Sequence, residues 1–257
     1  MKLADMHCHL DFATNPTDVA SKAAAEGVGL FSTTVLPRAF GDATAMLGAC
    51  PNVRVGVGAH PWWAQEAQGQ MDDFDRAFGK TRFVGEVGLD FSTRHGDSHD
   101  VQVRVFRHIA AMCAERSETV LSLHSVRAAD AVLDILQDCG CLEAGNRCIF
   151  HWFSGSCEQL HRAIDAGCWF SLGERMLDTK RGREYARLIP KDKLLLETDL
   201  PPQSAKHFEW TEQGASLYRA LHLLARVCSG DNVELQQAIA VNSGQLLGNW
   251  GRIGLCE

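Results

Sequence analysis

The chain has 257 residues, enough to bury a sizeable core, and its content of 46% hydrophobic and 22% charged residues excludes a disordered protein. With 25 Lys and Arg against 32 Asp and Glu, the net charge is −7, which excludes a broadly basic surface for nucleic acid. No run of about 18 apolar residues spans a membrane, so no membrane partner is expected. Because no apolar leader-like region precedes Asp5, we expect a cytoplasmic protein.

The chain opens with an apolar segment, residues 3–12, that contains two histidines one residue apart. In an extended strand, residues two apart point to the same face, so His7 and His9 project together while Cys8 points away from them. Two imidazoles directed at one point are typical of a metal site. Two polar side chains can also share a strand face without binding a metal. The metal interpretation is favoured only if later strands bring further ligands to the same place.

Short apolar runs and longer amphipathic stretches alternate along the rest of the chain. Runs rich in Val, Ile, Leu and Phe predict further strands at 28–35, 53–59, 82–89, 120–125, 147–153, 168–172 and 193–199. Helical periodicity is clearest at 16–27, 101–116 and 128–139. A last helix is predicted to begin near Ser229, with Asp231 as its N-cap.

This alternation predicts an α/β protein with the fold of a (β/α)8 TIM barrel. Strands that are apolar on both faces suit a parallel sheet covered on both sides, and eight strand–helix units close into a barrel. An open doubly wound sheet is the alternative, which the lack of a Gly-x-Gly-x-x-Gly after the first strand disfavours. Because no linker-like tract interrupts the pattern, we expect a single domain over residues 1–257.

Candidate metal ligands lie at the carboxyl ends of the predicted strands, where barrel enzymes place their chemistry. Besides the two N-terminal histidines, they are Glu86, His124, His151 and Asp199. Each residue alone has a structural explanation, but their recurrence at five strand ends predicts a metal site. Four histidines and two carboxylates exceed the needs of one tetrahedral zinc. They suit two divalent ions (zinc, magnesium or manganese) bridged by a carboxylate.

Six segments carry a resemblance to a known family. They are Asp5-Met6-His7-Cys8-His9-Leu10-Asp11, Gly58-Ala59-His60-Pro61, Gly85-Glu86-Val87-Gly88-Leu89-Asp90, Leu123-His124-Ser125, His151-Trp152-Phe153-Ser154-Gly155 and Leu196-Glu197-Thr198-Asp199. Together they resemble the TatD family of metal-dependent deoxyribonucleases, in the amidohydrolase-like barrel superfamily. The resemblance implies that one metal is held by His7, His9, Glu86 and Asp199, and the second by Glu86, His124 and His151.

The expected function is hydrolysis of DNA phosphodiester bonds by water that two metal ions activate. Glu86 is the expected bridge between the ions, and Asp199 is both a ligand and the expected proton acceptor. His60 is expected to contact the phosphate or the leaving group. The resemblance also implies 3′ exonuclease action on DNA.

Other residues near the predicted ligands have candidate supporting roles. Asp90 and Glu197 are expected to orient ligand imidazoles by accepting hydrogen bonds. Aromatic side chains on the same predicted face are candidates for stacking unpaired bases: Trp62, Trp63, Trp152 and Phe153. The alternative is that at least two of them cap the barrel core. Single-stranded DNA ends are therefore the expected partner, because stacking and metals can hold them without a basic groove.

Parts of the chain point to a subgroup and leave rival functions open. Residues 123–128, 151–155 and 167–171 are similar to the TatD-type nuclease of the Qat anti-phage defence cassette, which implies other defence-system proteins as partners. One alternative is an esterase, amidohydrolase or deacylase acting on a nucleotide or an aminoacyl-tRNA, because the same centre can attack a carbonyl carbon. Another alternative is a recognition subunit of a defence complex.

Overall fold

The computed structural model describes residues 3–228 and 232–248, in which strands and helices alternate. The strands are β1 (Ala4–Cys8), β2 (Gly29–Thr33), β3 (Val53–Ala59), β4 (Phe83–Asp90), β5 (Val120–Val126), β6 (Arg147–His151), β7 (Trp169–Leu172) and β8 (Leu194–Leu196). The helices are α1 (Pro16–Ala25), α2 (Ala39–Leu47), α3 (Ala64–Gln68), α4 (Met71–Phe78), α5 (His99–Ala114), α6 (Ala129–Asp138), α7 (Cys157–Asp165), α8 (Glu174–Leu177), α9 (Lys180–Leu188), α10 (Trp210–Val227) and α11 (Asn232–Leu247).

The strands form one sheet whose spatial order is the order of the chain, from β1 to β8. β1 pairs with β2, β3 with β4, β4 with β5, β5 with β6 and β6 with β7, each pair in parallel. The sheet returns to its first strand, because the N–H of Asp199, just after β8, donates to the carbonyl of His7 in β1 at 3.0 Å. The predicted (β/α)8 barrel is thereby confirmed, and the open doubly wound sheet is wrong.

The chain forms two compact units, which we describe separately. The described residues of the first unit are 3–32, 44–54, 172–228 and 232–248, and those of the second unit are 33–43 and 55–171. Buried side chains of the first unit include Val19, Leu30, Leu195, Leu217 and Leu224. Those of the second unit include Phe74, Phe106, Ile109, Phe150 and Phe170. The expectation of a single domain over the whole chain stays a prediction.

Two glycines let backbone segments of the second unit approach closely. A Cβ on Gly58 would lie 1.6 Å from the carbonyl oxygen of Thr34, and one on Gly88 would lie 2.1 Å from that of His124. Gly88 also has a φ of +136°, which side chains other than glycine rarely adopt. The glycines of β3 and β4 therefore bring neighbouring strands together beside the residues that carry the candidate ligands.

Strand ends differ from the sequence prediction where the backbone turns. The sixth strand was expected to run to Phe153 but ends at His151, because Trp152 has a φ of 40° and leaves the extended conformation. The eighth was expected to run to Asp199 but ends at Leu196, and Asp199 has a φ of 58°. The N-cap predicted at Asp231 lies outside the described residues.

The three helices with the clearest periodicity are confirmed as α1, α5 and α6. No described helix is both long enough and apolar enough to cross a bilayer. The described cysteines are free thiols, and Cys8 donates from its buried Sγ to the carbonyl of Phe31 at 3.4 Å.

Candidate metal centre

One group of candidate ligands lies in the first unit. The Nε2 atoms of His7 and His9 are 3.2 Å apart, as expected for residues that share a strand face. Oδ1 of Asp199 lies 3.7 Å from Nε2 of His7 and 3.4 Å from Nε2 of His9. The two imidazoles are buried, whereas the Asp199 side chain is 29% exposed. Three ligand atoms therefore converge within the range that one divalent ion bridges.

A buried carboxylate positions this group. Oδ1 of Asp5 accepts the backbone N–H of Thr198 at 3.0 Å, and its Oδ2 accepts the Thr198 hydroxyl at 2.5 Å and the Gln213 amide at 2.9 Å. Burial raises the pKa of Asp5 to about 7, although the bonds from Gln213 and Thr198 oppose that rise. Asp5 thus ties β1, which carries His7, to the segment that carries Asp199.

A second group of candidate ligands surrounds Glu86 in the second unit. Oε1 of this buried residue lies 2.6 Å from Nδ1 of His124, 2.9 Å from Nε2 of His151 and 3.1 Å from Nε2 of His60. His60 follows β3, His124 lies within β5 and His151 ends β6, and each imidazole is less than a tenth exposed. One carboxylate oxygen thus faces three ring nitrogens, an arrangement that a divalent cation or shared protons must stabilise.

The hydrogen bonds of His60 distinguish it from its neighbours. Its Nδ1 accepts the backbone N–H of Trp62 at 3.1 Å. In a neutral imidazole the proton is then on Nε2, so Nε2 donates to Glu86 and offers no lone pair to a metal. Although its ring lies close enough to Glu86 and His124 to count among the possible ligands, His60 is better suited to donate to a phosphate oxygen.

Asp90 lies behind one of the candidate ligands. Its Oδ2 is 3.3 Å from Nε2 of His124 and accepts the indole N–H of Trp62 at 2.7 Å. Burial raises the pKa of Asp90, but the bonds from His124, Ser92 and Trp62 outweigh it and hold the pKa well below its usual range. For His124, burial lowers the pKa, and the bonds to Asp90 and Glu86 outweigh it and raise the pKa. A charged Asp90 therefore holds the ring of His124 from behind; that His124 is a metal ligand stays a prediction.

The remaining residues predicted from the sequence, four aromatic residues and Glu197, differ in how far they are exposed. Phe153 is buried and packs against Phe150 and Phe170, with ring centroids 5.5 and 5.8 Å away, so it does not face a ligand. Trp63 and Trp152 are half-buried, whereas Trp62 is 44% exposed. Glu197 is buried, and its backbone N–H donates to Leu172 at 3.3 Å.

Sequence reasoning gave Asp5 no role of its own. The strand alternation that paired the two histidines also places Asp5 on their face, and this was the available signal. Its partner Gln213 lies in α10, more than two hundred residues along the chain, and no local pattern connects the two. Their contact is a product of the fold.

Comparison with models of known protein families gives one clear match. The sequence model of the TatD-related DNases matches residues 4–248, nearly the whole chain. The chain belongs to the TatD family. The TatD family consists of metal-dependent hydrolases, and the protein is accordingly a metal-dependent nuclease of the deoxyribonuclease type.

Individual relatives within the TatD family are about 30% identical to this chain and match only part of it. The deoxyribonuclease Tat-D of Schizosaccharomyces pombe is 32% identical over 158 residues, which cover 56% of this chain and 50% of that protein. The 3′-5′ ssDNA/RNA exonuclease TatD of Pantoea ananatis is 30% identical over 204 residues, 75% of this chain and 76% of that protein. The chain thus spans about half of the yeast relative and three quarters of the bacterial one.

Solved structures support the fold. A TatD family hydrolase from Entamoeba histolytica superimposes with a TM-score of 0.78 over 95% of this chain and 97% of that chain. The two sequences are 14% identical in this superposition, so the likeness concerns the barrel and not the substrate.

Proposed function

We propose that this TatD-family nuclease removes nucleotides from the 3′ ends of single-stranded DNA, using two divalent ions. The observation that carries the proposal is the pair of ligand groups, one around His7, His9 and Asp199 and one around Glu86. The name of the Pantoea relative, a 3′-5′ ssDNA/RNA exonuclease, supports the polarity and the single-stranded substrate. The net charge of −7 favours an end held locally over a duplex held along a basic groove.

The residues present fit divalent ions. His7, His9 and Asp199 would hold one ion, and Glu86, His124 and His151 the other, with Glu86 as the bridge that the family resemblance implies. The donors are imidazole nitrogens and carboxylate oxygens, and the imidazole-rich sets favour zinc or manganese over magnesium. Ions held by these residues would lower the pKa of bound water toward neutrality and would stabilise the negative charge that develops on the phosphate.

Asp199 and His60 have separate roles in the proposed hydrolysis. Asp199 is the only partly exposed member of its group, at 29%, so its carboxylate reaches the solvent side and accepts the proton of the attacking water. The bond between phosphorus and O3′ of the preceding nucleotide breaks. His60, neutral with its proton on Nε2, donates a hydrogen bond to a phosphate oxygen, and the departing O3′ takes up a proton from solvent.

The test is a degradation assay with oligonucleotides. Metal-free protein is supplied with Zn²⁺, Mn²⁺ or Mg²⁺ and a single-stranded DNA labelled at its 5′ end. We expect a ladder that shortens from the 3′ end with release of mononucleotides. Glu86→Ala and His9→Ala should abolish the ladder, whereas the exposed Asp72→Asn should leave it unchanged.

Two outcomes of the same assay would contradict the proposal. A 5′-labelled mononucleotide released first would reverse the polarity. Turnover of an ester or amide substrate, with no degradation of DNA under any metal, would replace the nuclease by a carbonyl hydrolase on the same centre.

We propose further that the protein acts in the cytoplasm, in anti-phage defence together with other proteins of its cassette. Support comes from the sequence likeness of residues 123–128, 151–155 and 167–171 to the Qat nuclease. Plaque counts on cells that carry the cassette with Glu86→Ala test this role. Loss of protection would support it. Full protection by the variant would instead favour a recognition subunit without chemistry.

A further inference from the structure

An aromatic side chain stands exposed beside the Glu86 group. Trp62 is 44% exposed, and only a few large apolar side chains of the described residues are exposed to this extent. Its ring centroid lies 5.0 Å from that of His60 and 6.1 Å from that of His124. An exposed flat apolar surface of the second unit is therefore next to residues that the proposed reaction uses.

The indole is held in place on several sides. Its N–H donates to Oδ2 of Asp90 at 2.7 Å, and its backbone N–H donates to Nδ1 of His60 at 3.1 Å. The ring of His95 stacks on it with centroids 5.3 Å apart and planes 13° from parallel. An aromatic ring fixed in this way loses little conformational entropy when a ligand stacks on it, which favours binding.

A cation lies next to the same ring. The guanidinium carbon of Arg94 is 5.6 Å from the centroid of Trp62, within the range of a cation–π contact, and Arg94 is exposed. In an acidic protein, such a local positive charge is where a phosphate of the backbone can be held. A partly exposed aromatic ring and the exposed cation that lies over it match the chemistry of a nucleotide, a planar base joined to an anion.

We propose that Trp62 is a nucleobase platform: it stacks the base of a nucleotide next to the scissile phosphate, and Arg94 contacts the neighbouring backbone phosphate. The proposal rests on the proposed nuclease function and adds a specificity-determining residue to it. The platform recognises a planar base without reading its edge, so it accepts all four bases. It requires an unpaired base, because a base in a duplex has both faces covered.

The test compares ordinary single-stranded DNA with strands that lack a base at the terminal or the penultimate 3′ position. For the wild type, one of the two abasic strands should show a kcat/KM about 5- to 100-fold below that of the ordinary strand, mainly through KM, since a stacked base contributes on this order. Trp62→Leu should lower the kcat/KM on the ordinary strand toward the abasic value and should change the abasic value by much less.

A conservative variant separates stacking from support of the metal ligands. Trp62→Phe keeps a flat ring but loses the N–H that Asp90 accepts. Trp62→Phe should therefore retain most of the preference for the ordinary strand over the abasic strand. If Trp62 acted only by supporting Asp90 and His124, Trp62→Phe would lower kcat/KM as much as Trp62→Leu. Leu188→Ala, at a position that is also 44% exposed, is the matched control and should behave as wild type.

Two results would overturn the platform. One is an equal loss on ordinary and abasic strands in Trp62→Leu, and the other is no loss on either. Both are distinct from failure of the nuclease proposal, in which the wild type itself would degrade none of these strands.

Discussion

Oδ2 of Asp90 lies 3.3 Å from Nε2 of His124, while the other nitrogen of that ring faces Glu86 at 2.6 Å. The imidazole is thus held between two buried carboxylates, one of which belongs to the proposed centre. A hydrogen-bond acceptor behind a ligand imidazole fixes the ring. It also makes the other ring nitrogen a better electron-pair donor to a metal ion.

Asp90→Asn tests this support. The amide keeps the size of the carboxylate but removes its charge, so we expect metal binding about 10- to 100-fold weaker. Calorimetric titration of metal-free protein with Zn²⁺ measures the effect, and Asp72→Asn serves as the control. An unchanged dissociation constant would mean that Asp90 does not act through His124.

Asp5→Ala should destabilise the protein without any metal present. The change leaves the buried hydroxyl of Thr198 and the amide of Gln213 without their acceptor, which costs about 2–4 kcal/mol of unfolding free energy. Urea unfolding in the presence of a chelator measures it. Equal midpoints for variant and wild type would show that these bonds are replaced by others.

Gly88→Ala should distort the strand that carries Glu86. Its Cβ would lie 2.1 Å from the carbonyl oxygen of His124, and the φ of +136° is unfavourable for alanine. We expect a loss of more than about 3 kcal/mol or an insoluble product. Gly41→Ala, in α2 with open space around its Cβ, should instead stabilise by about 0.5–1 kcal/mol. A Gly88→Ala variant as stable as Gly41→Ala would exclude this close strand approach.

The pH dependence of stability has a local test at Glu174. Its pKa is lowered by the guanidinium of Arg219, at 2.6 Å, and by the hydroxyl of Ser216, against the opposing effect of burial. A lowered carboxyl pKa adds stability that is present above the ordinary value of 4.5 and is lost as the pH falls through the lowered value.

Arg219→Ala should therefore unfold at slightly lower urea than wild type at pH 7, with a smaller change than Asp5→Ala. The difference should shrink at acidic pH, where Glu174 becomes protonated. Thermal or urea midpoints at several pH values measure it. A difference that grows toward low pH would reverse the sign expected for this pair.

The sequence was sufficient for the parts of the protein that depend on local pattern. Buried parallel strands are continuous apolar runs, so β3 was placed at its observed limits, Val53–Ala59. The convergence of His7 and His9 followed from the period of a strand alone. The ends of β6 and β8 were missed because Trp152 and Asp199 adopt positive φ, which their residue types do not announce.

Contacts between segments that are distant in the chain could not be predicted from local sequence patterns. The bonds of Asp5 to Thr198 and Gln213 join residues that only the fold brings together. The proton position on His60 depends on the backbone N–H of Trp62, which comes from the turn that follows β3. Phe153 packs its apolar ring in the core and is not exposed to bases, in agreement with the alternative that some of the four aromatic candidates cap the barrel core.

The two-metal nuclease is tested by the rate of nucleotide release from single-stranded DNA as a function of the amount of bound metal. The metal is removed by chelation and reloaded stepwise, and the ions per chain are counted by mass spectrometry. We predict no release from the stripped protein and full release only when about two ions are bound per chain. Glu86→Ala, as the predicted bridge, should bind fewer ions and release nothing. Full release by the stripped wild-type protein would contradict the account.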